Sequence, residues 1–108
     1  MRWGVLAVGL ALAGPAWGQM MFYDGNKILE WCEASRPSAY SYVSGVVDTF
    51  NFIGTRPGEK PEFCIPHGAT LRQITDTVCK HIDAFPAARH ISAAGLTRGA
   101  LNIAFPCP

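Results

Sequence analysis

Four stretches of the chain place apolar residues at helical spacing, and each is bounded by a capping or breaking residue. Asp24 to Ala34 is the first. Asp24 is suited to accept amide hydrogens at a helix N-terminus, and Ile28, Leu29, Trp31 and Cys32 supply an apolar side. Arg36-Pro37 ends it, because the residue before proline is pushed out of the helical region. Pro37 in turn fits the first turn of a second helix, with Ser35 or Arg36 outside it. Tyr40, Val43, Val47, Phe50 and Ile53 recur along that helix, and Gly54 reads as its C-terminal cap. Val46-Val47 would suit a strand, but alternation does not persist. Gly45 costs about 1 kcal/mol relative to alanine inside a helix, which predicts close approach of another helix there.

The third helix has the clearest start. Thr70 and Gln73 match a capping box, in which each side chain satisfies an amide of the first turn. Leu71, Ile74, Val78, Ile82 and Phe85 form its apolar stripe, with Cys79 beside it, and Pro86 ends it. Ser92 caps a fourth helix that runs to about Phe105. Its small and apolar face is Ala93, Leu96, Ala100, Leu101 and Ala104, and Ala94, Gly95 and Gly99 predict a smooth contact surface. Between the second and third helices, Thr55 to Glu62 holds two prolines, a glycine and four charges, and reads as a surface loop. Phe63-Cys64-Ile65-Pro66 returns the chain to the core. The expected fold is all-α: a small four-helix domain around one core.

The N-terminus changes the picture of where this domain works. Arg2 precedes an uncharged apolar run from Trp3 to Gly14, Pro15 breaks it, and Ala16-Trp17-Gly18 offers small residues at a cleavage site. This three-part pattern predicts a cleavable signal peptide over residues 1–18 and a mature domain over 19–108. The run is short for a membrane span, and no second run is longer.

Export gives the cysteines a meaning. The chain has four, Cys32, Cys64, Cys79 and Cys107. An even count in an oxidising compartment argues for disulfides, with three possible connectivities. Cys64-Ile65-Pro66 and Phe105-Pro106-Cys107 bracket the third and fourth helices. A bond between them would close a loop of roughly 40 residues, worth about 4 kcal/mol in the chain-entropy model. A mature chain of about 90 residues gains from such a staple.

Motifs for chemistry are absent. There is no Cys-x-x-Cys, no phosphate-binding glycine loop and no HExxH pattern. His67, His81 and His90 lack metal-ligand spacing and read as surface or helix-end residues. A Cys–His nucleophile would pair Cys79 with His81 or His67, but Cys79 and His81 stand two apart on one helix and do not face each other, and a thiol in an oxidising compartment tends to be consumed in a disulfide. Asp76 and Asp83, two turns apart, fit a solvated helix face better than a carboxylate dyad. With Arg2 removed, eight basic residues face eight acidic ones, so no basic patch suggests nucleic acid. Arg89-His90 lies in the connection before the fourth helix. Arg89 is placed to satisfy carbonyls at the end of the third, although both residues are also candidates to reach a partner.

Taken together, "GNKILEWC" (Gly25 to Cys32), "YVSGVVD" (Tyr42 to Asp48), "FCIPHGATLRQITDTV" (Phe63 to Val78) and "FPAARHISAAGLTRGALNIAFPC" (Phe85 to Cys107) carry a resemblance. The sequence resembles the Rap/Tai family of type VI secretion amidase immunity proteins, over nearly the whole mature chain. The resemblance implies a helical, disulfide-bonded protein of the periplasm of a Gram-negative-type envelope. It implies a protein that binds and sterically blocks a cognate peptidoglycan amidase, is not itself an enzyme, needs no cofactor or metal, and in some members forms homodimers. The alternative is a small disulfide-bonded envelope protein that shares the fold without an amidase partner.

One departure stands out. The family often has a cysteine near the start of the second helix, about where Tyr40 stands, paired with the equivalent of Cys32. Here Cys79 on the third helix takes its place. The resemblance therefore implies Cys64–Cys107 as the retained pair and Cys32–Cys79 as a substitute crosslink. No partner-binding residue carries over from the family. The loop Thr55–Pro61 and Arg89-His90 are the candidates.

Overall fold

The computed structural model describes residues 20–108; the expected signal peptide lies outside them. Four α-helices follow in order, α1 (Gly25–Ala34), α2 (Arg36–Gly54), α3 (Leu71–Ala84) and α4 (Ala93–Ala104), with a 3-10 turn at Pro86–Ala88 between α3 and α4. There is no strand among the described residues, so the domain is all-α.

Local chemistry sets the helix ends. The Asp24 side chain accepts the Lys27 amide at 3.0 Å, and the Ser92 hydroxyl accepts the Gly95 amide at 3.0 Å. Thr70 and Gln73 close a reciprocal capping box, at 3.1 Å and 2.9 Å. Ser35 alone separates α1 from α2, ending one and preceding the other. Its amide donates to the Trp31 carbonyl at 2.9 Å, and its own carbonyl receives the Ser38 amide at 2.9 Å.

The four helices share one core. Ile28 from α1, Val43 from α2, Ile74, Val78 and Ile82 from α3, and Leu96, Ala100 and Leu101 from α4 are buried together, with Phe63 supplied by the loop. The expected stripes hold at their centres and fail at their ends. Leu71 and Phe85, at the two ends of the α3 stripe, are exposed. On α2 the buried apolar positions are Ala39, Val43 and Val46, while Val47 and Phe50 are only partly buried.

Two disulfides tie this arrangement. Cys32 on α1 is bonded to Cys79 on α3, with Cα atoms 5.9 Å apart. Cys64, in the segment entering α3, is bonded to Cys107 just past α4, with Cα atoms 4.9 Å apart. Bonds of this kind fit an exported protein.

The glycines correct the sequence reading. A Cβ at Gly45 or Gly99 would meet nothing within 4 Å, so neither mediates helix contact. Gly54 is the last residue of α2 and has no left-handed backbone; among the described residues only Gly58, in the loop, has positive φ, at 82°. The close approach occurs instead at Gly25. A Cβ there would sit 2.8 Å from the Arg89 carbonyl oxygen and 2.9 Å from the Arg89 Cα. The cause is a backbone junction. Gly25 and Asn26 donate to the carbonyls of Ile91 and Arg89 at 3.0 Å and 3.1 Å, and Ala93 donates to Tyr23 at 2.9 Å. Asp24 and Ser92 thereby form an isolated antiparallel bridge. The Leu96 side chain would also be in the way, and it could shift, but the two Arg89 atoms are backbone and cannot rotate away, so Gly25→Ala should cost about 2–3 kcal/mol. Chemical denaturation would check this, and an unchanged midpoint would contradict the close approach.

Candidate functional site

A groove of about 490 Å³ runs along the outer side of α2. Tyr42, Val46 and Phe50 form its apolar wall, Ser41, Gly45 and Thr49 its rim, and Ala94 at the start of α4 its far side. Helical periodicity explains the lining: positions 42, 46 and 50 stack one turn apart, as do 41, 45 and 49. The bare backbone at Gly45 leaves space between Ser41 and Thr49. The groove continues toward α1 into a second depression lined by Trp31, Pro37, Ser38, Ser41 and Tyr42.

Three aromatic rings anchor that end. Tyr23 meets Trp31 edge-on at 4.8 Å and Tyr42 at 5.9 Å, and Trp31 lies 5.7 Å from Tyr42. Such pairs add about 0.5–1.5 kcal/mol each beyond area burial, so they hold the wall in place. Burial raises the Tyr42 pKa, against the opposing effect of the nearby Ala94 backbone. Its hydroxyl therefore stays neutral at physiological pH. No Asp, Glu, Lys, Arg or His lines either part of the groove.

One charge stands close to this wall: the Arg98 guanidinium lies 5.9 Å from the centre of the Phe50 ring and also pairs with Glu62. Arg36 lines neither part of the groove; it lies 6.0 Å from the Tyr40 ring and pairs with Asp76. Phe50 further packs on Phe63 at 6.1 Å, linking the groove to the core.

Glu62 has a testable signature. Hydrogen bonds from Asn102, then from Arg98, hold its carboxyl below the usual glutamate range. A lowered pKa means stabilisation that is present above the unfolded value, about 4.3, and lost as pH falls through the folded value. Glu62→Gln should lower the melting temperature at pH 7 by no more than a few degrees, since exposed ion pairs are weak. The gap between the two proteins should close as pH drops below about 4. A gap that persists in acid would show that the loss is steric.

The residues singled out from sequence fall elsewhere. Thr55 to Lys60 is exposed and contributes nothing to the groove. Arg89 is half-buried; it donates to the Asp83 carbonyl at 3.2 Å, pairs with the Asp83 carboxylate at 3.5 Å, and its own carbonyl receives an α1 amide. It therefore joins α3 to α1. His90 lines a different depression beside Met21 and Phe22, His81 packs on Phe85 at 4.9 Å, and His67 is exposed. Among the described residues no group of His, Cys, Asp or Glu could hold a metal ion. Asp76 and Asp83 pair with different arginines, and Cys79 has no free thiol to act as a nucleophile.

A family model for Rap1a immunity proteins matches residues 24–107. The chain belongs to that family. The match begins at the Asp24 cap and ends at Cys107, so it takes in all four helices and both disulfides. No curated protein and no solved structure matches the chain. As a member of the Rap1a immunity proteins it is an immunity-type protein, whose role is to bind a cognate effector. No helix among the described residues is long and apolar enough to cross a membrane.

Sequence reasoning missed the groove because its walls come from two helices that the pattern alone does not juxtapose. One signal was present. From Pro37 to Gly54 the chain carries a single charge, Asp48. A long helix with an uncharged exposed side is unusual for a solvated surface and suits the core of an interface.

Proposed function

We propose that this immunity protein binds and sterically inhibits a cognate peptidoglycan amidase of a type VI secretion system, in the periplasm. The observation that carries the reading is the family match over residues 24–107. The disulfides support an oxidising compartment, and the N-terminal sequence supports export to it. We assign the effector to the groove along α2. An immunity protein needs a protein partner, and interface cores are depleted of charge and rich in aromatic side chains. The walls at Trp31, Tyr42, Val46 and Phe50 have that composition. An uncharged segment of the amidase, seated there, would block its substrate groove without any reaction of the immunity protein.

The test is titration of a co-encoded amidase with the purified mature chain, following cleavage of a peptidoglycan peptide. Inhibition should be complete near one chain per enzyme active site and reversible on dilution over hours. Undiminished cleavage at tenfold excess would count against the amidase reading and leave the envelope protein without an amidase partner. Sedimentation of the same sample would show whether a homodimer forms.

A further inference from the structure

The Cys32–Cys79 bond lies in an open cleft between α1 and α3, away from the α2 groove. Its two sulfurs have unequal surroundings. The Arg36 guanidinium donates through Nη1 to Cys79 Sγ at 3.3 Å, and through Nη2 to the Asp76 carboxylate. Among the described residues no such donor reaches Cys32 Sγ. Cys79 is 8% exposed, while Cys32 is only half-buried.

Glu33, Asp83 and Lys80 also line the cleft. They do not make the contact that Arg36 makes, and exposed charges at longer range are screened. A thiolate gains most from a charged donor at contact distance. In thiol–disulfide exchange the bond breaks faster when the departing sulfur is the better-stabilised thiolate, and attack needs access to the other sulfur. Both conditions select the same direction here.

We propose that Cys32–Cys79 is a polarised exchange site, attacked at Cys32 with Cys79 as the leaving sulfur, and that its reactant is a dithiol. The attacking thiolate forms a mixed disulfide with Cys32 Sγ. The Cys32–Cys79 bond breaks, and its electron pair leaves on Cys79 Sγ against Arg36. The second thiol of the reactant then attacks its own sulfur in the mixed disulfide and expels Cys32 as a thiolate. The reactant becomes a disulfide, both cysteines are reduced, and the two protons of the dithiol end on Cys32 and Cys79. In the oxidising direction the same path runs backward, and Cys79 closes the bond by attacking a mixed disulfide on Cys32.

Reduced glutathione, a monothiol with no second thiol of its own, reads the direction, because its adduct is carried on to reduction only by a second glutathione molecule and is trapped by an early quench. The full oxidised protein is exposed to it briefly, quenched in acid, alkylated and mapped by peptide mass spectrometry. The glutathione adduct should sit on Cys32 in roughly tenfold excess over Cys79. An adduct shared equally, biased to Cys79 or absent from both overturns the proposal. Arg36→Gln should slow adduct formation at Cys32 about threefold or more while leaving the Cys64–Cys107 rate unchanged. An unchanged rate at Cys32 rules out the role of Arg36. A rise at both bonds would signal loss of the fold, and the adduct distribution in the unaltered protein then decides alone.

Discussion

Replacing Cys64 and Cys107 together by serine is expected to lower the unfolding free energy by about 4 kcal/mol. The bond closes a span with sequence separation 43, and the gain comes from restricting the unfolded chain. Its folded geometry also matters. Cys64 donates its amide to the Phe105 carbonyl at 2.8 Å, so the bond and the hydrogen bond together hold the end of α4 against the segment that carries Phe63 into the core. A domain of this size has roughly 5–10 kcal/mol in total, so one staple is a large share of it. The variant should fold in mild conditions with a lowered denaturant midpoint and a somewhat steeper slope, because the freed unfolded chain exposes more surface. Loss of both bonds should leave the chain largely unfolded at 37 °C. A midpoint unmoved by the double serine variant would mean that packing alone holds the fold.

Much of that fold is legible along the chain because its determinants are local. Asp24, Thr70 with Gln73, and Ser92 each cap the helix they precede, and each does so with a partner three residues away. The centres of the stripes, Ile28, Val43, Val78 and Leu101, are buried, because periodicity decides which face turns inward. What escaped the sequence reading depends on distant neighbours. Gly25 looks like an ordinary first helical residue until Arg89, far along the chain, is brought against it. Gly45 looks like a contact residue because glycine inside a helix is costly, yet it opens onto the groove. Leu71 and Phe85 stand at the first position and the C-cap of α3 and are exposed, so a periodic pattern carried to the helix ends overstates their burial. Cysteine spacing alone leaves three pairings open; the family resemblance implies Cys32–Cys79 and Cys64–Cys107, and helix packing brings those partners together.

The same contrast applies to the site. The charge-poor stretch from Pro37 to Gly54 is its one trace in the sequence, whereas the candidates read from the chain are the loop Thr55–Pro61 and Arg89-His90. Arg89 is occupied in joining α3 to α1, and the loop stands apart from the aromatic surface. A groove assembled from Trp31, Tyr42, Phe50 and Ala94 requires the α1–α2 corner formed at Ser35 and the approach of α4. Neither is encoded in a window of sequence short enough for pattern reading.

Gly45 gives the most direct test of the central claim, that the neutral groove along α2 receives the effector. Its Cβ position is open, so a side chain there leaves the fold intact, and replacing glycine should even favour the helix. Gly45→Glu would place a carboxylate where the groove offers no positive partner. Burying that charge at an interface should weaken amidase binding by at least ~100-fold, about 2.7 kcal/mol. Gly45→Ala, carrying a methyl group at the same position, should bind within a few-fold of the original and melt slightly higher. The decisive measurement is the dissociation constant of each protein for the cognate amidase, alongside its melting temperature. Binding should be lost in Gly45→Glu and kept in Gly45→Ala, with both folded; Gly45→Glu binding as tightly as the unaltered protein would contradict a neutral effector-binding groove along α2.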